Sequence, residues 1–181
     1  MTKRHNEDAK DADVRLVAVG PEDLTSLYAW INDRDTVIFN SPYSPVHLKN
    51  HLEWFDSIRS REDIVLFGIR SGGRLVGTCQ LHSIHPVHRT ADLQIRIGST
   101  DDRRKGFGFS AIKQLLQFGF FDRNLNRIAL HVFADNTAAR QLYAKAGFKE
   151  EGRLRQAAFV DGGFKDLIIL SLLQSEFREG K

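Results

Sequence analysis

The chain has 181 residues, which suits one domain, and its 41% hydrophobic and 27% charged residues are typical of globular proteins and exclude a disordered or fibrous class. The net charge of +3 is mixed in sign with no long basic run, so it does not indicate a nucleic-acid partner. The single cysteine, Cys79, excludes an internal disulfide, and the lack of a membrane-length apolar stretch or a signal-peptide core predicts a cytoplasmic protein with no membrane attachment.

The first third of the chain predicts a tail, a strand and two helices. Residues 1–13 contain almost nothing apolar and mix both charges, which is typical of a mobile tail. A strand is predicted over 14–19, a helix begins at Pro21, and a loop with aromatic rings and prolines at 39–45 is a candidate substrate rim. A second helix follows, with Leu48, Leu52, Phe55 and Ile58 as its apolar positions.

The remainder alternates strands and helices. Further strands are predicted at 64–69, 74–81, 93–98, 128–133, 148–159 and 165–173. Gly-rich turns at 71–73 and 161–163 join two pairs of these strands, a helix is predicted over 107–122, and a short one ends at Gly147. This order predicts a single α/β (α+β) domain over 14–178, with a mixed, mostly antiparallel sheet.

The segment Arg103-Arg104-Lys105-Gly106-Phe107-Gly108 lies between a predicted strand and a predicted helix. Free N–H groups at a helix start attract phosphate, and glycine allows a ligand to approach the backbone closely. The spacing Arg-x-x-Gly-x-Gly matches neither the dinucleotide G-x-G-x-x-G nor the Walker G-x-x-x-x-G-K-[ST]. Taken by itself, the hexapeptide fits a flexible basic loop as well as a phosphate cradle.

A second pattern, N-x-x-A-x-x-L-Y-x-K-x-G-F, extends from Asn136 to Phe148 directly after a strand. Asn136 is a candidate N-cap of the helix, and Tyr143 lies seven positions later, about two turns along on roughly the same face.

The two patterns resemble the signatures of the GNAT superfamily of acetyl-CoA-dependent N-acetyltransferases, the first of which is written Q/R-x-x-G-x-G/A. The order of strands and helices from Val14 to Leu173 also matches that fold. The resemblance implies a twisted central sheet of about seven strands flanked by about four helices. It also implies an enzyme that moves acetyl from acetyl-CoA directly to a primary amine, with no metal.

Within the superfamily, two sets of segments point to different relatives. Residues 87–95 and 159–164 are similar to spermidine acetyltransferases, whereas 30–33 and 51–55 resemble amino-sugar nucleotide acetyltransferases. The chain looks most like the branch of the superfamily that includes ribosomal-protein N-terminal acetyltransferases, spermidine acetyltransferases and amino-sugar nucleotide acetyltransferases. The acceptor is therefore open between a small amine, such as a polyamine or amino sugar, and a protein N-terminus.

By resemblance, the cofactor contacts fall on three segments. Pantetheine would run along the strand 93–98, where the backbone of Ile95, Arg96 and Ile97 would donate to the thioester oxygen. Residues Arg103 to Gly108 would hold the pyrophosphate. Asn136 would bond cofactor amides and Arg140 would reach a phosphate, although an N-cap and a solvated arginine are their plainer interpretations.

Two residues match catalytic positions. Tyr143 matches the tyrosine that protonates the departing sulfur, its alternative being a half-buried helix tyrosine with a surface hydroxyl. Asp92 stands where many relatives carry a Glu and would take the amine proton through a water, its alternative being an ion pair with Arg89 or Arg96.

Other expectations concern partners. Three histidines, His82, His85 and His88, follow the end of the strand predicted at 74–81. They show no metal-ligand pattern, and histidines in such a position are more often surface residues than catalytic bases. Acidic residues on the first two helices hint at a cationic amine: Glu22, Asp33, Glu53 and Asp56. A homodimer is common among such relatives. A second hypothesis from another class is a non-catalytic acetyl-CoA-binding regulatory module.

Overall fold

The computed structural model describes residues 13–39 and 41–177. Apart from Asp13, the predicted tail lies outside the described residues, as does residue 178 at the end of the predicted domain. Within these ranges the strands are β1 Arg15–Ala18, β2 Val65–Ser71, β3 Arg74–His85, β4 Thr90–Ile97, β5 Arg127–Phe133, β6 Lys149–Val160 and β7 Gly163–Leu173. The α-helices are α1 Leu24–Asn32, α2 Arg34–Val37, α3 Leu48–Arg59, α4 Phe107–Gln117 and α5 Thr137–Lys145.

The described residues thus form one helix more than the four predicted, because α2 was not foreseen. This helix has four residues, too few for a hydrophobic period to show in the sequence. Asp33 caps it: its carboxylate accepts from the Asp35 N–H at 3.1 Å and from the Thr36 hydroxyl at 2.6 Å. No helix in the described part of the chain is long and apolar enough to cross a membrane.

The strands form one sheet in the order β1-β2-β3-β4-β5-β7-β6, which confirms the predicted mixed topology. Every neighbouring pair is antiparallel except β4 and β5, which are parallel. The parallel register covers Thr90↔Arg127, Ala91↔Ile128 and Asp92↔Ala129, and then the two strands separate. The sheet is therefore forked between the second half of β4 and the second half of β5.

Helix α4 covers one face of the sheet, as its apolar period predicts. Its residues Ile112, Leu115 and Leu116 are fully buried and pack in one cluster with Leu81 of β3 and Leu93 of β4. Burial of each such side chain stabilises the fold by about 1.5–3 kcal/mol.

Helices α1 and α3 cover the opposite face. Along β4, Ala91, Leu93 and Ile95 join the core beneath α4, so Gln94 and Arg96 project from the other side. Of the four apolar positions predicted for α3, Phe55 and Ile58 are half-buried, whereas Leu48 and Leu52 are 54% and 42% exposed and His51 takes the buried place. A gap between the α1–α3 layer and the sheet forms the larger of the two cavities described below.

Candidate active site

Two cavities meet at the middle of β4. One, of about 190 Å³, lies in the fork and is lined by Leu93 to Ile95, the end of β5 and the inner face of α5. The other, of about 440 Å³, lies under α1 and α3 and is lined by β3, β4 and those helices. They share Ser41, Gln94 and Ile95 as a common wall. A molecule in each cavity would therefore meet its neighbour at this point of the strand.

The fork leaves backbone groups of β4 without a strand partner on the β5 side. The Gly98 N–H donates to the Val76 carbonyl at 3.0 Å, and the alternation of an antiparallel ladder then turns the backbone of Arg96 toward β3. The backbone groups of Ile95 and Ile97 face the fork instead. Of the three residues predicted to donate to the thioester, Ile95 and Ile97 are so oriented and Arg96 is not.

The N-terminus of α4 is available to bind an anion. Gly106 occupies the N-cap position with φ 82°, a left-handed conformation that glycine adopts readily, and no side chain caps the helix. The first backbone bond of the helix runs from the Ser110 N–H to the Gly106 carbonyl at 3.1 Å. The N–H groups of residues 107–109 therefore have no partner within the helix, an arrangement that suits pyrophosphate.

The three cations of the loop are held in different ways. Arg103 lies over the Phe39 ring at 4.9 Å and reaches the Thr36 hydroxyl at 3.5 Å, which ties the loop to the segment after α2. Arg104 is exposed with φ 62°. Lys105 pairs with the buried carboxylate of Asp102 at 3.4 Å.

Asp102 anchors this loop to the sheet. Arg74, at the start of β3, makes two hydrogen bonds of 2.7 and 2.8 Å to the Asp102 carboxylate. These bonds, followed by the charges of Arg74 and Lys105, hold the pKa of Asp102 below its usual range. The sequence analysis did not single out Asp102, because its partner lies 28 residues away.

Gly108 has space beside it. The nearest described atom to a Cβ built at this position is Leu142 Cδ2 at 3.5 Å, an ordinary contact, and φ lies outside the left-handed region. Protein packing therefore does not require a glycine here, whereas a ligand lying against the helix N-terminus would. Together with the uncapped N–H groups and the fork, this shows that the residues present fit acetyl-CoA.

Residues of α5 divide between the fork and the outer surface. Asn136 lines the fork cavity while its side-chain oxygen caps the helix, accepting from the Ala139 N–H at 3.1 Å. Arg140 lies outside that cavity, where it donates to the Ala134 carbonyl at 3.2 Å and to Glu150 at 3.3 Å. These contacts argue against the predicted phosphate contact of Arg140, since its guanidinium already has local acceptors.

Tyr143 lines the fork cavity together with Ile95. Its side chain is buried, not half-buried as in the plainer interpretation, and it packs edge-on against Phe148 at 5.7 Å between ring centroids. Burial raises the pKa of Tyr143 to about 12. The phenol therefore keeps its proton throughout the physiological range.

Asp92 lies at the point where β4 and β5 separate. It occupies the last paired position of the parallel register, opposite His82 of β3, and shares a face of β4 with Gln94. It lies about 6.6 Å before Gln94 along the strand, a separation that a water could bridge to an amine near Gln94. The described residues hold no ion pair between Asp92 and Arg89 or Arg96, and Arg89 instead donates to Asn124.

The cavity under α1 and α3 contains residues that the sequence analysis missed. Gln80 donates to Gln94 at 2.6 Å across β3 and β4, and Trp30 packs so closely on β4 that a Cβ at Gly98 would overlap its ring. His51 is 4% exposed, bonds the Leu24 carbonyl at 3.2 Å, and has its pKa lowered by burial. No local motif marks these residues, because each comes from a different element.

Cys79 also lines this cavity, and burial raises the pKa of its thiol to about 12. It is therefore a protonated core residue. Among the described residues, no group of three or more His, Cys, Asp or Glu side chains is placed to hold a metal ion. His85 and His88 stack on each other at the surface with ring centroids 4.1 Å apart.

Comparison with known families and structures gives a consistent result. A family model described as an acetyltransferase (GNAT) domain matches residues 13–149. The crystal structure of a spermidine N-acetyltransferase from Vibrio cholerae in complex with CoA and spermine superposes with a TM-score of 0.84 at 30% identity. That superposition covers 90% of this chain and 96% of the other.

Curated relatives match over shorter lengths. The spermidine N(1)-acetyltransferase of Vibrio cholerae is 37% identical over 103 residues, which are 57% of this chain and 59% of that protein. The putative ribosomal N-acetyltransferase YdaF of Bacillus subtilis is 32% identical over 120 residues, 64% of this chain and 65% of its own. The chain thus spans less than two thirds of the length of both relatives.

Proposed function

The chain belongs to the acetyltransferase (GNAT) family, and on that premise we propose that it transfers an acetyl group from acetyl-CoA to a primary amine of a small molecule. The observation that carries the proposal is the meeting of two cavities at Gln94 and Ile95, one with the features of a cofactor site and one of a size suited to a small ligand. This arrangement favours a direct transfer between two bound molecules over a regulatory module, which needs only the first cavity.

Specific residues would hold the donor. The backbone N–H groups at the start of α4 would bind the pyrophosphate, beside the open space at Gly108. The backbone of Ile95 and Ile97 would bond the pantetheine arm and the thioester oxygen, as a strand partner would. Bound acetyl-CoA would supply the activated acetyl group, and the Ile95 N–H would stabilise negative charge on its oxygen.

Tyr143 would donate a proton to the leaving sulfur. A phenol with a pKa of about 12 is protonated at neutral pH, as an acid catalyst must be, but it gives up its proton reluctantly. Burial of a leaving thiolate beside this phenol would disfavour its charged form, so protonation by Tyr143 would assist its departure.

Asp92 would accept the proton that the ammonium must lose before attack. Its place at the fork, on the same face as Gln94, allows a water to connect it with an amine at the meeting point of the cavities.

The domain assignment over 14–178 and a dimer of two such chains are further proposals. Phe159 and Phe164 of the β6–β7 hairpin are exposed and would form the dimer interface. Light scattering would measure whether the protein is a dimer.

The experiment is thiol release from acetyl-CoA with a panel of polyamines, amino sugars, amino acids and peptides with free N-termini. Release with at least one small amine, together with an acetylated product of the expected mass, supports the proposal. Release with peptide N-termini alone would move the acceptor to proteins. Binding of acetyl-CoA with release by no amine would favour the regulatory module.

A further inference from the structure

The cavity under α1 and α3, where the amine would bind, is called the acceptor cavity below. It carries positive charge and has no acidic side chain in its described lining. Its lining in the described residues includes Arg96 but neither an aspartate nor a glutamate. His51, the other titratable base in the lining, has its pKa lowered by burial, which favours its neutral form. Within this lining, an ammonium beyond the reacting amine would therefore meet a guanidinium and no carboxylate. Asp92 lies outside the lining, on the opposite side of Gln94 along β4 from Arg96.

Arg96 is half-buried, and its guanidinium is only partly satisfied. Its Nε is inaccessible to solvent and has no hydrogen-bond partner among the described residues. Burial also lowers the pKa of Arg96. A desolvated cation without a partner is costly in free energy, and an anionic ligand that takes two of its N–H groups removes much of that cost.

The acidic residues that hinted at a cationic amine do not reach this cavity. Glu53 and Asp56 lie on the outer surface of α3, paired with Lys49 and Arg59 at 3.7 Å each. Asp33 caps α2, and Glu22 lies 3.7 Å from Arg70. None of them lines the cavity, so the solvated-face interpretation of these charges is the one supported.

The geometry places this cation near the reaction centre. Arg96 follows Gln94 by two residues on the same face of β4, a separation of about 6.6 Å along the strand. We infer that Arg96 is a specificity residue that binds a carboxylate or phosphate on the acceptor, so that the substrate is a small anionic amine and not a polyamine. This inference rests on the proposed acetyl transfer and narrows its acceptor.

Four acceptors of similar length separate the effect of charge from that of size. They are butylamine, 1,4-diaminobutane, 4-aminobutanoate and 3-aminopropyl phosphate, which end in a methyl, an ammonium, a carboxylate and a phosphate. We expect kcat/KM to be highest for the two anionic acceptors and lowest for 1,4-diaminobutane. The order of the two anionic acceptors identifies which anion the site prefers.

Three variants test the residue. In Arg96→Gln, kcat/KM for the anionic acceptors should fall about 10–100-fold while that for butylamine and the Kd of acetyl-CoA stay unchanged. Arg96→Lys should retain part of the preference, because it keeps the charge without the planar fork. Arg59→Gln, on the outer surface of α3, is the matched control and should change nothing.

The thermal midpoint distinguishes recognition from a structural role. Removing a half-buried cation whose Nε has no partner among the described residues should leave the Tm of Arg96→Gln equal to or above that of the parent, whereas loss of a structural contact would lower it. Faster turnover of 1,4-diaminobutane than of both anionic acceptors would overturn the inference and leave acetyl transfer intact. Absence of thiol release with every amine would overturn both.

Discussion

The cofactor half and the acceptor half of the site are built in different ways. The cofactor half uses two continuous segments: 93–108, which passes from β4 into α4, and 136–143, which forms the N-cap and first two turns of α5. It relies largely on backbone groups: the fork edge of β4 and the open N-terminus of α4. The acceptor half uses side chains drawn from α1, α3, β3 and β4, which lie far apart in the chain.

This difference explains what each half can specify. Backbone groups bind the parts that every acetyl-CoA molecule presents, and only the glycines and turns that shape the backbone need particular residue types. Side chains such as Arg96 line the acceptor cavity and would select the acceptor, and they can change without disturbing the cofactor half. Mutations in the two halves should therefore affect different kinetic parameters, and the predictions below test that separation from the largest effect to the smallest.

Tyr143→Phe removes the proton donor at the junction of the two halves. We expect kcat to fall on the order of 100–1000-fold, with the Kd of acetyl-CoA changed less than threefold, because the ring still fills its buried site. Steady-state kinetics and equilibrium binding measure the two quantities. An equal loss of turnover and affinity would assign Tyr143 to binding only.

Gly108→Val tests whether the cofactor half depends on open space. We expect acetyl-CoA affinity to fall on the order of 100-fold, about 2.7 kcal/mol, while the Tm is preserved since the nearest neighbour is 3.5 Å from the new Cβ. Calorimetric titration with CoA provides the measurement. Gly152→Val, at a strand glycine with no described atom within 4 Å of a Cβ, should keep full affinity. Undiminished affinity in Gly108→Val would contradict the pyrophosphate assignment.

Asp92→Asn tests the proposed proton acceptor. We expect kcat/KM to fall about 10–30-fold at pH 7 and the deficit to shrink as the pH approaches the pKa of the amine, because a deprotonated amine needs no base. A pH–rate profile from 6 to 10 measures this, and the exposed Asp122→Asn is the control. A deficit that does not depend on pH would indicate a positioning role. With Tyr143 protonated to about pH 12, the parent rate should not decline near pH 10.

Asp102→Asn has the smallest expected effect on catalysis and acts through the loop. Loss of the carboxylate that binds Arg74 and Lys105 should lower stability by about 1–3 kcal/mol and weaken acetyl-CoA binding a few-fold. Because the folded-state pKa of Asp102 is depressed, its stabilisation is present above the ordinary carboxyl pKa and is lost as pH falls through the folded-state value. In thermal melts, the difference in Tm between parent and variant should therefore be smaller at pH 3 than at pH 7. The exposed Asp101→Asn is the control and should match the parent at both pH values.

The same contrast separates what the sequence predicts from what it does not. The order of elements along the chain, the start of α4 and Gly147, which ends α5 with φ 97°, follow from hydrophobic period and turn chemistry within short windows. The end of α4 was placed too late, because the α-helix stops at Gln117 and residues 118–122 continue it as a π-helix. Helix α2 was missed because four residues show no period, and Leu52 was expected inside α3 where His51 takes the buried place. The Gln80–Gln94 bond and the isolation of Arg96 depend on elements far apart in sequence, so only the folded structure reveals them.

The fork in the sheet also allows cofactor binding to be followed by amide hydrogen exchange. The Ile95 and Ile97 amides face the fork and should exchange rapidly in the free protein, although both residues belong to a regular central strand. The Arg96 amide between them faces β3 and should be slow in every state. Saturating acetyl-CoA should slow exchange at the Ile95 and Ile97 amides only. These two amides would report cofactor binding, and the Arg96 amide between them would serve as the unchanged reference.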